Sequence, residues 1–392
     1  MQGLGRLAMV AVLLLTACTG PGGAAPRTAP ASPAASATAV VSPWQTDFDR
    51  LAENVSLDDF TRALPWRDAI PALYRPAVVA ASNAEWIGDE EPVIAVERDG
   101  QWRAYPLQIL LWHEIVNDLL EDERIVVTFC PLCHTAVVFD PYLDGELLEF
   151  GVSGYLRRSD LVMYDRQTET WWQQATGVGL VGTHAGRHLE ILPSSLVAWS
   201  DFRAAHPDAG VLDRATGYDR PYGQSPYPGW DRIERNPFFE LVELLDCEGD
   251  ESCVDPKERV AVVTANGETV VFPFRRLAAA GGLVETDIGG VPIVVWWQPG
   301  VRSVLGNQLI ECSDQVGTVV AFDRRKDAAV LSFEVRGTTL VDGRSATSWN
   351  ALGEATVGAY AGERLQRLQI DTPYWFGFAA FGEGYRVWSS ED

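Results

Sequence analysis

Short apolar runs separated by turn-forming residues dominate the chain from Pro92 onward. Val93 to Glu97 reads as a strand, Asp99-Gly100 is a two-residue hairpin signal, and Gln101 to Tyr105 returns. Pro106, with its fixed φ and missing donor, suits the start of a short helix running through Trp112. Then come His113-Glu114-Ile115-Val116-Asn117-Asp118 and, after them, a polar turn. Two short β-branched runs come next, Ile125 to Phe129 and Ala136 to Phe139, and they predict strand, tight turn, strand around Cys130-Pro131-Leu132-Cys133-His134. Further upstream, Ser56 to Leu64 predicts a short helix capped by Ser56, with Asp58 and Asp59 in its first turn.

The pattern recurs. Val93 aligns with Val260, Gly100 with Gly267, Tyr105-Pro106 with Phe272-Pro273 and Leu110 with Leu277, at a constant shift of 167 positions. Further on, Asp165 and Trp172 match Asp342 and Trp349. The expected fold is therefore mainly β with short helices (α+β), built as two related β-rich repeats in tandem: residues 44–207 and 259–392, joined by a connector at 208–258. Features kept in both copies are expected to build the fold, and features of one copy to carry chemistry. At the same shift Cys130 faces Trp297, Cys133 faces Gly300, His134 faces Val301 and His113 faces Ala280. The loop Gly154 to Asp160 also belongs to the first copy alone, so the first copy is the expected active one.

The first forty residues add a location. Arg6 precedes an apolar run, Leu7 to Ala17, too short to span a bilayer. Its end, Leu15-Thr16-Ala17-Cys18, resembles a bacterial lipoprotein signal, so residues 1–18 are expected to be a signal peptide with Cys18 lipidated; ordinary secretion is the alternative. Residues 19–43, rich in Pro, Ala and Ser, read as a disordered tether. The folded part would then sit on the extracytoplasmic side of a cell membrane. A net charge of -23 argues against nucleic acid as a partner. An oxidising compartment favours paired cysteines, and Cys247 with Cys253 in one acidic loop forms the simplest disulfide; Cys312 has no obvious partner.

Cys130 and Cys133 support four readings. A Cys-x-x-Cys on a β-turn is a common half of a metal site, with His134 and His113 as further ligands and Zn or Cu as the ion. The same spacing serves thiol–disulfide oxidoreductases, although a following strand removes the helix N-terminus that usually activates the first thiol. Cys130 to His134 also fits the c-type haem pattern, but such motifs usually lie by helices, and Met163 as distal ligand reads better as core. The structural alternative is a surface protein with a Cys130–Cys133 disulfide. Arg157-Arg158 forms a possible anion-binding loop beside the cysteines; His184 and His188 read as surface residues, and Asp165 and Gln173 as structural hydrogen-bonding groups.

The stretches AYPLQILLWHEIVND, VTFCPLCHTAVVFD, FGVSGYLRRSDLVMYDRQTETWWQ and AGRHLEILP resemble a bacterial family known as domain of unknown function 3179. The resemblance runs from about Arg67 to the C-terminus and includes the PKERV at Pro256 to Val260. It implies signature positions at Cys130 to Cys133, His113-Glu114 and Asn117-Asp118. It implies no activity. The segment from Cys247 to Cys253 departs from the family pattern.

Overall fold

The apolar runs form strands, and the computed structural model describes them over residues 44–232 and 253–390. The expected signal peptide and tether, Cys18 and Cys247 lie outside the described residues. The fold is mainly β with few short helices, arranged as several sheets. Among the described residues no helix is long and apolar enough to cross a membrane.

The predicted hairpin is β1 (Pro92–Arg98) with β2 (Gln101–Pro106), turned by Asp99 and Gly100, both at positive φ. Helix α1 (Leu107–His113) follows, then β3 (Ile115–Leu120), β4 (Glu123–Cys130) and β5 (Thr135–Phe139) as an antiparallel meander. The segment from His113 to Asp118 is thus the end of a helix followed by a strand. Its polar residues are buried where they find partners: Asn117 exchanges hydrogen bonds with the Phe150 backbone, and Asp118 accepts from Arg103 and Tyr105. The hairpin and the meander lie in separate sheets, and a third sheet holds β6 (Phe150–Arg157), β7 (Asp160–Asp165), β8 (Trp171–Gln173) and β9 (Gly179–Val181).

The order β1-β2-α1-β3-β4-β5 has a counterpart later in the chain. It comprises β10 (Val260–Ala265), β11 (Glu268–Pro273), α2 (Phe274–Ala279), β12 (Leu283–Ile288), β13 (Val291–Gln298) and β14 (Thr318–Asp323), with the same antiparallel neighbours. Near the C-terminus, the strand Ile370–Asp371 pairs with β10 and is followed by α3 (Trp375–Ala379). Buried clusters draw on both stretches: one joins Cys130, Cys133 and Met163 to Val304, Leu305, Tyr374 and Phe376. The described residues all belong to one compact unit.

The helix expected from Ser56 begins and stops early. Ser56 makes a full capping box with Asp59, but only one 3₁₀ turn, Leu57–Asp59, follows. Phe60–Arg62 then turns extended and pairs with the end of β6, Phe60 opposite Arg157. Sheet pairing outweighs the local helical preference here.

Candidate functional site

The site is built from two hairpins. In the first, Cys130 ends β4 and pairs with Thr135 at the start of β5, so Pro131 to His134 form the turn. His134 takes φ 58, which lets the turn close. In the second, β6 and β7 meet at Arg158 and Ser159, both at positive φ, and Asp160 is delivered to the mouth of the first turn. Cys130 Sγ, Cys133 Sγ and an Asp160 carboxylate oxygen lie within 4.8 Å of one another. Cys130 and Asp160 are 1% and 0% exposed, and Cys133 is 0% exposed, so the cluster is sealed from solvent.

The polar atoms of this cluster have defined partners. Cys133 donates to Asp160 Oδ1 at 2.8 Å and lies 3.0 Å from Thr135 Oγ1. Cys130 donates to Ser159 O at 3.8 Å. Asp160 Oδ2 accepts from Gln173 Nε2 and, at 2.9 Å, from the Ala175 backbone. Thr135 Oγ1 donates to Gln174 Oε1, and Gln174 Nε2 donates to Thr128 Oγ1 at 2.8 Å. Burial pushes both thiols up, Cys133 well above its usual range, and pushes the Asp160 carboxyl up as well. Neither thiol is in a disulfide.

The other residues singled out by sequence fall elsewhere. His134 is buried with Nδ1 at 2.9 Å from Thr372 O, and burial then Arg259 hold it well below its usual range. His113, the last residue of α1, sits between Pro71 O and Tyr222 Oη, each at 2.7 Å, and burial lowers it. Neither joins the three-ligand cluster. Both imidazoles are turned by a backbone carbonyl distant in sequence, Pro71 O for His113 and Thr372 O for His134. Arg157 bonds to Gln173 and lies 3.5 Å from Asp59, and Arg158 donates to Ala380 O, so both arginines of the expected anion loop have internal partners. Met163 belongs to the core. Cys253 and Cys312 are each disulfide-bonded.

Asp160 is the member of this cluster that sequence reading missed. Its signal was the loop Gly154 to Asp160, which the alignment at a shift of 167 expects in the first stretch alone. Gln173, read as purely structural, holds the far oxygen of that carboxylate.

The second half of the chain closes over the turn. Tyr374 N donates to Cys133 O at 2.9 Å, and α3 rests on the same residue through Gly377. A Cβ added there would meet Cys133 Cβ at 2.8 Å and Cys133 O at 3.0 Å. From the connector, Trp230 Nε1 donates to Leu132 O at 2.8 Å, and Lys257 Nζ sits 3.4 Å from the centre of the Trp230 ring.

On the other flank, Glu114 caps α1 at φ 59 and is buried. Burial pushes its carboxyl up to about 8. Asp371, beside the Ala136 and Thr372 amides, is pushed up by burial to about 7.

A family model described as protein of unknown function (DUF3179) matches residues 67–384. No curated protein and no solved structure matches the chain.

Proposed function

This chain is a DUF3179 protein, and we propose that its work centres on one transition-metal ion held by Cys130, Cys133 and Asp160. The observation that carries the reading is the convergence of two sulfurs and a carboxylate oxygen within 4.8 Å inside the core. Two thiolates with a carboxylate suit Zn²⁺, which accepts sulfur and oxygen together; Cu⁺ would use the sulfurs and leave the carboxylate aside. Gln173 and the Ala175 amide already orient Asp160 through Oδ2, which frees Oδ1 for the ion once the Cys133 proton leaves. Three protein ligands would leave one tetrahedral position for water or a substrate atom.

Thiol–disulfide exchange fits the same residues less well. It needs an accessible thiolate, whereas both thiols are buried and pushed up, and His134 and Arg157 have other partners. The reading places the site on a protein lipid-anchored through Cys18, outside the cytoplasm.

Elemental analysis of the full chain, purified without chelator and paired with a free-thiol count, tests this. About one Zn or Cu per chain is expected, lost in Cys130→Ser and in Asp160→Asn while the fold persists. A metal-free chain with Cys130 and Cys133 oxidised and readily reduced would replace metal binding with thiol exchange.

A further inference from the structure

A cavity of about 450 Å³ opens beside the cysteine turn at Leu132. That volume lies within the ~300–1,000 Å³ range of small-molecule sites. Its wall is largely apolar, with Ile70, Leu132, Val152, Leu156 and Trp230 among the contributors, and exposed Ala63 and Pro228 stand at its rim. Leu132 belongs to the turn between the two cysteines, so whatever fills the cavity touches the back of that turn. Gly154, at φ +86, lines it because a Cβ there would meet Trp66 O at 3.1 Å.

Among the described residues, Glu114 is the only carboxylate in this wall. Its one side-chain hydrogen bond among the described residues is a long contact, 3.4 Å, from Tyr227 Oη, and Tyr227 lines the cavity too. A buried carboxyl with a single long partner is under-satisfied. The backbone adds a second observation. Glu114 holds a left-handed φ of 59, where glycine would sit without strain, so a side chain is kept at a position that disfavours one. Its backbone is committed on both sides, donating to Leu110 O at 2.7 Å and accepting from Phe129 N at 2.8 Å. The carboxyl is therefore fixed in place at the cavity wall.

We propose that this cavity is a binding site for a small, uncharged, mainly apolar molecule carrying one hydroxyl group, which exchanges hydrogen bonds with Glu114 and Tyr227. A hydroxyl can donate and accept at once, matching the two groups that meet only loosely without it. The apolar wall takes the rest of the molecule. An anion would enter at the cost of losing its hydration beside a carboxyl, with no basic residue among those lining the cavity. The proposal goes beyond the metal reading and does not depend on it.

Benzyl alcohol, toluene and benzoate serve as probes in ligand-observed NMR titrations of the full chain. Benzyl alcohol is expected to bind saturably at one site, toluene more weakly, and benzoate not at all. Tyr227→Phe should weaken benzyl alcohol roughly tenfold and leave toluene unchanged. Ala63→Trp, at the exposed rim, should block both probes while the urea midpoint stays put. The proposal is overturned if benzyl alcohol shows no saturable binding, or if both variants leave its affinity unchanged. Either failure leaves the metal reading standing, because elemental analysis reads the cysteines and Asp160 and not the cavity.

Discussion

Gly377 shows how tightly one residue can control the site. Its missing side chain lets α3 rest on Cys133, with no room for a Cβ at 2.8 Å from that residue's own Cβ. Gly377→Ala should therefore lower stability by about 1–3 kcal/mol through overpacking, read as a fall in the urea midpoint at unchanged slope. The thiols give a second residue-scale expectation. Burial raises Cys130 and Cys133, and a metal must displace their protons. Metal uptake should release protons and weaken steadily as pH falls below neutral, which calorimetry in two buffers of different ionisation heat would measure; uptake without proton release would count against thiolate ligation. The cysteines were legible in the sequence as reactive residues on a tight turn. Their third partner was not, because Asp160 reaches them through a second hairpin 27 residues after Cys133. His134 Nδ1 lies beside Thr372 O, because adjacency in sequence does not set side-chain direction when the residue sits at φ 58.

Among the elements, the β-hairpins were the most legible, because period-two alternation and Asp-Gly turns are local signals. The helix after Ser56 was not, since its fate depended on a strand almost a hundred residues away. The Asp and Trp positions shared between the halves have a physical account. Asp165 accepts from the Thr168 backbone and hydroxyl, and Asp342 accepts from the Ser345 backbone at 2.8 Å and from its hydroxyl, so each carboxylate fastens the turn after a strand. They differ at the tryptophan, and Asp342 also accepts from the Arg344 backbone at 3.2 Å. Trp172 Nε1 donates to Asp165 at 2.9 Å, whereas the Trp349 indole nitrogen has no hydrogen-bond partner among the described residues. Asp165→Ala should thus cost more than Asp342→Ala, by about 1–3 kcal/mol for the additional buried donor left unpaired. Equal costs in urea titrations of the two variants would refute the distinction.

For the molecule as a whole, the buried acids set the pH response. Glu114 is raised from 4.5 to about 8 and Asp371 from 3.8 to about 7, so each binds a proton more strongly in the folded chain than in the unfolded one. Stability from such groups is fully present below the unfolded values and is lost as pH rises through the folded ones. His134 runs the other way, because its lowered value costs stability only below its ordinary 6.5. Between pH 6.5 and 8.5 the acids govern: stability should fall as pH rises, by up to about 1.4 kcal/mol per unit per ionising group. Glu114→Gln should flatten that slope. An unchanged slope in urea titrations at pH 6.5, 7.5 and 8.5 would exclude Glu114 as its source.

The turn bearing the cysteines is held at three successive residues by distant parts of the chain: Leu132 by Trp230, Cys133 by Tyr374 and His134 by Thr372. The consequence is one of timing. Thr372 lies 238 residues after His134, so during synthesis the turn is made long before the segment that clasps it. Cargo taken up before that point would be enclosed by the closing of the C-terminal segment. Its departure would then require the same segment to lift, so residence time would be governed by how often the protein opens rather than by the strength of the bonds to the cargo.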